Sequence, residues 1–454
     1  MQAFAAASAR ISARICPGSR DDISPSAVRE RATRKLGRLR SFLMELGSPE
    51  RRLPVVHVTG TSGKGSTAAA IASLLGAAGL RTGLATSPYL QVMSEKLQID
   101  GRLISGEGLL AAVEDVERAE TDWIAAGNPP LAYGELWTAL MLRWFDAEEV
   151  DAAVIEVGAG GRFDLTNVVT PIASVITSVG LDHLQTLGPT LADIAWHKAG
   201  IIKPGAAVVT GPLPPEGIAA VAAETSLASS PWVRAEQVPA ATGNATGFVQ
   251  ANQRLALTTA ETLAGAGLIA PDRIDPAALA RVRLPGRLES MPSAGPPVML
   301  DGAHNPDKAL ALAGELRRWR ESSALQPVIL FAAIGSKDAA SVLGALAREA
   351  SAFVLTEAPV LGKQAMPAGD LAALARDAGR PLPVTADPDL DAAFARALDL
   401  AQQTGTGLLV TGSLYLLGPI RRRWYPDEAV VLQRTPRPPP AAGAPNQKSG
   451  AYRK

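Results

Sequence analysis

One stretch limits the fold more than any other. Residues 53–58 (LPVVHV) form an apolar run that breaks into TGTSGKGS and passes at once into an Ala-rich stretch. A run apolar on both faces, closed by glycines and followed by helix formers, is a strand buried on both sides that turns directly into a helix. Such a strand needs a parallel sheet with helices over each face. The same unit recurs at residues 152–157 (AAVIEV), 172–177 and 206–210, with helical patterns between them. A second series starts at residues 297–300 and continues at 328–332, 352–356 and 408–411. Residues 285–297, rich in Pro and Gly, lie between the two series and are expected to form a linker.

The loop after the first strand is built to meet phosphate. Gly60, Gly63 and Gly65 let backbone N–H groups turn toward oxyanions without a Cβ in the way. Thr61 and Ser62 lie between them, and the helix that follows adds positive charge at its N-terminus. Lys64 is placed to reach the β- and γ-phosphates, and the Ser66 hydroxyl to face magnesium. The spacing departs from the standard P-loop, because Val58 stands where the first glycine belongs. The expected fold class is α/β: a P-loop-type parallel-sheet nucleotide-binding domain over residues 25–290, then a smaller α/β domain over 297–430. Residues 1–24 are Ala/Ser/Arg-rich and 434–454 Pro-rich and polar, and both are expected to be disordered.

Composition removes several classes of function. Lys and Arg number 44, as do Asp and Glu, so no overall basic charge favours nucleic acid. A single cysteine, Cys16, rules out an intrachain disulfide or a cysteine metal cluster. No apolar run reaches the length of a membrane span. The expectation is a cytoplasmic protein acting on small molecules.

Two further residues invite a metal. Glu156 ends a buried strand, and an acid there is costly without a cation. Magnesium beside nucleotide phosphates supplies one. His183 follows the strand at 172–177 in the same sheet, at the end where ligands gather.

The GTxGKGS form of the loop resembles the central domain of the Mur ligase superfamily. The longer match, HVTGTSGKGST followed by TSPYL, is similar to its folate branch, the folylpolyglutamate synthase and dihydrofolate synthase family. Ser62 replaces the usual Asn, and Tyr89 a frequent His. Later segments match in order: VQANQRLAL, LPGRLE, MLDGAHNP, IGSKD and VTGSLYLLG.

The resemblance implies an ATP-dependent ligase that joins L-glutamate to the carboxylate of dihydropteroate, of (tetrahydro)folate polyglutamates, or of both, through an acyl phosphate. It assigns ATP to Gly60, Thr61, Ser62, Gly63, Lys64, Gly65, Ser66, Asn252, Arg287, Asp301 and His304. One magnesium ion is assigned to Ser87, Glu156 and His183. A second is assigned to Lys198 in WHKAGI, carbamylated so that its nitrogen carries anionic oxygens. Lys64, Glu156, His183 and Lys198 are the implied catalytic residues, and a monovalent cation is allowed for. Tyr133, Gly134 and Glu135, with Phe163, Asp164 and Leu165, are assigned to the pterin-bearing substrate. The family also implies a monomer. Two alternatives stay open: a Mur-type ligase for another acid, and a nucleotide-binding relative without catalysis. The presence of Lys64, Glu156, His183, Lys198 and Asp301 argues against the second.

Overall fold

The computed structural model describes residues 1–15, 25–237, 247–323, 326–335, 338–360 and 364–440. Two compact units result: Met1–Tyr89 with Met93–Val282, and Leu90–Val92 with Arg283–Lys454.

The first unit is built on an eight-stranded sheet. Its strands are β1 (Val55–Thr59), β2 (Thr82–Ala85), β3 (Leu97–Ile99), β4 (Arg102–Leu103), β5 (Ala152–Glu156), β6 (Pro171–Ile176), β7 (Ala207–Thr210) and β8 (Trp232–Arg234). They stand in the order β4-β3-β2-β5-β1-β6-β7-β8. From β2 to β8 all neighbours are parallel, while β3 and β4 fold back antiparallel at one edge. Every residue of β1 and β5 is buried, which is why neither strand alternates in sequence. The chain leaves β1 toward β2 on one side, and β6 later takes the other side of β1. Ligands of open α/β sheets gather at such a reversal, outside the carboxyl ends of the strands. Pairing of Val58 with Glu156 and of Thr59 with Ile176 brings those ends level.

The second unit holds a six-stranded sheet. Its strands are β9 (Glu289–Met291), β10 (Val298–Leu300), β11 (Val328–Phe331), β12 (Ala352–Leu355), β13 (Val384–Ala386) and β14 (Leu408–Thr411), in the order β13-β12-β11-β14-β10-β9. Only β9 runs antiparallel to its neighbour. Leu316, Phe331, Phe353 and Leu371 belong to the core between this sheet and its helices.

Three expectations need correction. The segment 285–297 is not a linker. It carries β9, whose Glu289 is paired with Arg421 at 2.9 Å and with Arg437 at 3.0 Å. The Glu289 and Arg421 side chains are 1% and 0% exposed, and removing one partner of so dry a pair costs about 3–5 kcal/mol. The units divide at Val282/Arg283 instead.

The N-terminal extension is not disordered throughout. Gln2–Ser12 is a helix, because Phe4, Ala7 and Ile11 recur at helical spacing. Ala7 and Ile11 are fully buried, and a methyl on Gly106 of the helix Gly106–Ala125 would lie 2.9 Å from the Phe4 nitrogen. Arg14 then pairs with Glu120 at 2.6 Å. Residues 16–24 lie outside the described set. At the other end, Arg437 is held by Glu289, and the Pro436 carbonyl accepts from Arg421, so the tail is structured as far as residue 440. The remainder of the tail, 441–454, and Lys337 of IGSKD are also outside the described residues.

Candidate active site

The phosphate loop spans the step from β1 into the helix Lys64–Ala77. Its shape depends on two glycines. Gly63 caps the helix at φ +83°, and a methyl there would stand 2.3 Å from Asn252 Oδ1. A methyl on Gly60 would fall 1.8 Å from Thr177 Oγ1. The loop is stitched to the segment after β6. Thr61 Oγ1 donates to the Gly180 carbonyl and accepts from the Gly180 N–H, each at 2.9 Å, and Ser178 Oγ accepts from the Ser62 N–H at 2.9 Å. Lys64 folds back, its Nζ donating to the Gly60 carbonyl at 2.9 Å. The Ser62 hydroxyl is buried with no partner among the described residues. A rigid loop with helical N–H groups, a tethered lysine and an orphaned hydroxyl fits a nucleotide phosphate. Asn252 joins from the helix Gly247–Gly265, its Oδ1 accepting from Thr67 Oγ1 at 3.4 Å.

Beside the loop opens a cavity of about 180 Å³. Ser87, Lys96, Tyr133, Trp137, Glu156 and Asp164 are among the residues that line it. Glu156 links cavity and loop. Its side chain leaves the end of β5, one oxygen accepts from the Ser87 N–H at 2.9 Å, and a methyl on Gly65 would lie 3.2 Å from Oε2. Glu156 is 8% exposed. A carboxylate this dry, beside a phosphate-binding helix start and the Ser87 loop, offers the oxygen donors that magnesium takes, so these residues fit the ion.

Asp164 is held from three sides. Its Oδ1 accepts from the Thr166 N–H at 3.0 Å and the Thr166 hydroxyl at 2.6 Å, and its Oδ2 from the Ala159 N–H at 3.0 Å. Because the Thr166 proton goes to a carboxylate, Thr166 Oγ1 must accept from His57 Nε2, 2.9 Å away on β1. His57 therefore carries a proton on Nε2, and its Nδ1 is buried with no partner among the described residues. Burial, and then the charge of Lys203, lowers its pKa to about 3.

Of the other residues assigned to the acid substrate, two lie outside the cavity lining. Tyr133, Gly134 and Leu165 line the cavity with Asp164, whereas Glu135 and Phe163 do not. Glu135 is fully buried, pairs with Arg38 at 2.9 Å and accepts from the Ala132 N–H at 2.8 Å, so it closes the start of the helix Tyr133–Ala147. Phe163 packs against Trp196 and His197, with ring centroids 5.8 and 5.5 Å apart. His183 sits at φ +54° on a turn, its side chain 44% exposed and 3.9 Å from Asp182. Lys198 is 3% exposed in the helix Leu191–Ala199. Among the described residues no group of three or more His, Cys, Asp or Glu side chains gathers as a metal cluster.

Within the second unit, Arg287, Asp301 and His304 do come together at the end of β10. A methyl on Gly302 would lie 2.5 Å from Arg287 Nη1. Asp301 accepts from the Leu288 and Ala303 N–H groups at 3.0 and 2.9 Å, and burial raises its pKa against the pull of Arg287. His304 Nδ1 donates to the Gly302 carbonyl at 2.9 Å.

Residues 286–414 match the Mur ligase, glutamate ligase domain. The folylpolyglutamate synthase of Lacticaseibacillus casei is 35% identical over 420 residues, covering 85% of this chain and 93% of the relative. The chain belongs to the folylpolyglutamate synthase family. It is an ATP-dependent ligase of the Mur type. The dihydrofolate synthase/folylpolyglutamate synthase of Bacillus subtilis is 32% identical, covering 86% of this chain and 94% of the relative. A solved FPGS–AMPPCP–folate complex superposes with a TM-score of 0.74 at 31% identity, covering 92% of this chain and 98% of that one.

Among the cavity residues not assigned from the sequence are Trp137 and Lys96. Trp137 lies one helical turn beyond Tyr133, and its ring carries the Lys96 ammonium 4.5 Å from its centroid. Burial pulls Lys96 down to about 8, against the opposing influence of Asp164 and Glu156. The available signal was modest: a lysine just before a buried strand, and an aromatic at i+4 from an assigned tyrosine.

Proposed function

We propose that this ligase joins L-glutamate to the reacting carboxylate of dihydropteroate, of (tetrahydro)folate polyglutamates, or of both. The observation that carries the reading is a cavity lined by Tyr133 and Trp137, with Glu156 joining it to Gly65 of the phosphate loop. An aromatic-lined cavity suits an aromatic acid, and the loop suits a nucleoside triphosphate.

In this reading a carboxylate oxygen of the acid attacks the γ-phosphorus of ATP. The bond to the β-phosphate oxygen breaks, leaving ADP and an acyl phosphate. The glutamate amine then adds to the acyl carbon, inorganic phosphate departs, and the nitrogen loses a proton. Gly60, Thr61, Ser62, Gly63, Gly65 and Ser66 hold the phosphates, and Lys64 leaves Gly60 to meet the transferring group. Asn252 supports the loop from the side, and Arg287, Asp301 and His304 supply further nucleotide contacts. Ser87, Glu156 and His183 would hold one magnesium ion, and Lys198, as its carbamate, a second. Magnesium, when bound, neutralises charge on the phosphates. Tyr133, Gly134, Asp164 and Leu165 receive the acid. We further infer a cytoplasmic monomer without nucleic-acid or membrane partners. In support, no helix among the described residues is long and apolar enough to cross a membrane.

The test is product analysis with ATP, glutamate and each acid in turn. The expected result is ADP and the acid extended by glutamate. ADP release that ignores both acids would overturn the substrate assignment. For Lys198, its burial supports capture of carbon dioxide by a neutral amine. Protein equilibrated with isotopically labelled bicarbonate should show a carbamate carbon signal by NMR. That signal should be absent in Lys198→Arg, which should also be inactive. Full activity of Lys198→Arg would remove the modification from the mechanism.

A further inference from the structure

The cavity poses a charge problem. Glu156 and Asp164 both line it, so a substrate entering as a carboxylate meets two acids. Among the described lining residues the single cation is Lys96.

Its position is set by the sheet. The Thr86 N–H donates to the Lys96 carbonyl at 3.0 Å, and Ala85 pairs with Leu97, so Lys96 is pinned beside the Ser87 loop. Its ammonium lies 4.5 Å from the Trp137 ring centroid and 6.0 Å from that of Tyr133. Glu120, Glu135 and Glu289, other deeply buried acids, are each paired with arginine. Among the described residues Lys96 shows no such ion pair within 4.0 Å. Instead it stands over aromatic faces, which attract a cation without consuming its hydrogen-bond donors. Lys64, by contrast, spends a donor on the Gly60 carbonyl within the phosphate loop.

We propose that Lys96 is the group that receives the reacting carboxylate of the acid substrate, held ready on the faces of Trp137 and Tyr133. This rests on the substrate reading above and deepens it: Lys96 selects for an ionised acid and against its neutral analogues. An ammonium free to donate three hydrogen bonds offsets Glu156 and Asp164 at the point where the new oxygen–phosphorus bond must form.

The experiment compares equilibrium binding of dihydropteroate and of tetrahydrofolate with binding of the analogues in which the reacting carboxylate is a carboxamide. It uses the full chain without nucleotide, read by tryptophan fluorescence. Wild type should prefer each bound acid over its amide by about 10–100-fold, the usual size of a charge-assisted hydrogen bond. Lys96→Met should bind acid and amide alike, and Lys96→Arg should keep the preference. ADP binding should be unchanged in both variants and reports an intact fold. Should Lys96→Met lose ADP binding by misfolding, Lys96→Gln replaces it, with the same expected loss of preference. An unchanged acid-to-amide ratio in a folded variant would overturn the role of Lys96 alone. Weakened ADP binding with an unchanged ratio would assign Lys96 to the nucleotide and also overturn it. If neither acid binds wild type, the substrate reading itself falls.

Discussion

The phosphate loop and the adjoining cavity are neighbours built in opposite ways. The loop is one continuous stretch, residues 60–66, whose requirements are conformational: a positive φ at Gly63 and close backbone approach at Gly60. The cavity takes its lining from separate stretches at 85–87, 96–97, 133–141, 156–158 and 164–166. Its requirements are side-chain faces and charges delivered by different strands and helices. A local device should fail sharply when one residue changes, whereas an assembled one should fail by degrees.

The sharpest contrast is expected at Lys64. Lys64→Ala should lower ligase turnover by roughly 10²–10³-fold, or about 2.7–4 kcal/mol, with the circular dichroism spectrum unchanged. Near-normal turnover in a folded variant would break the comparison, because the loop would then lack its decisive contact.

His57 tests the connection between the two regions, since it lies on β1 and reaches Asp164 through Thr166. Its folded pKa is about 3 against an ordinary 6.5. Above pH 6.5 the ring is neutral whether the chain is folded or not. Below that, the unfolded chain takes up a proton that the folded one refuses, so stability falls as pH drops toward 3. The loss is about 1.4 kcal/mol per pH unit, or about 2 kcal/mol by about pH 5. His197, lowered to about 4 chiefly by burial, adds a loss of the same sign. Urea midpoints at about pH 7 and about pH 5 should differ less in His57→Gln, which keeps an amide donor for Thr166, than in wild type. Equal differences in the two proteins would refute a buried neutral His57.

The smallest effect belongs to the cavity wall. Trp137→Leu should raise KM for the acid by about two- to tenfold, the equivalent of about 0.5–1.5 kcal/mol, and leave KM for ATP alone. A change in KM for ATP of the same size would blur the distinction between the regions.

Much of the scaffold was legible because its central strands are buried on both faces. Runs such as VVHVT and AAVIE carry their own signal, since strands buried on both faces read as near-continuous apolar runs, broken here by His57, Thr59 and Glu156. The edges were not legible. β4, β8, β9 and β13 have only two or three residues each, and β9 lies in a Pro/Gly-rich segment that resembles a linker. Neighbouring strands, and for β9 the ion pairs of Glu289, stabilise them, and neither is visible in a local window. The N-terminal helix was missed for a similar reason: its apolar spacing is informative only once the helix Gly106–Ala125 is there to receive it.

The sequence by itself determined the phosphate loop, the central strands beside it and the acid Glu156 at the end of β5. Each depends on backbone conformation or burial within a few residues, and glycine spacing and apolar runs record both directly. Only the tertiary structure decided which side chains share the cavity. It turned Glu135 inward to Arg38 and the start of its own helix, and it packed Phe163 against Trp196 and His197. It also set Lys96 over Trp137, far away in the chain. The physical reason is that a side chain's partner depends on how strands, helices and loops distant in the chain are assembled around the whole sheet, which no local window of sequence records.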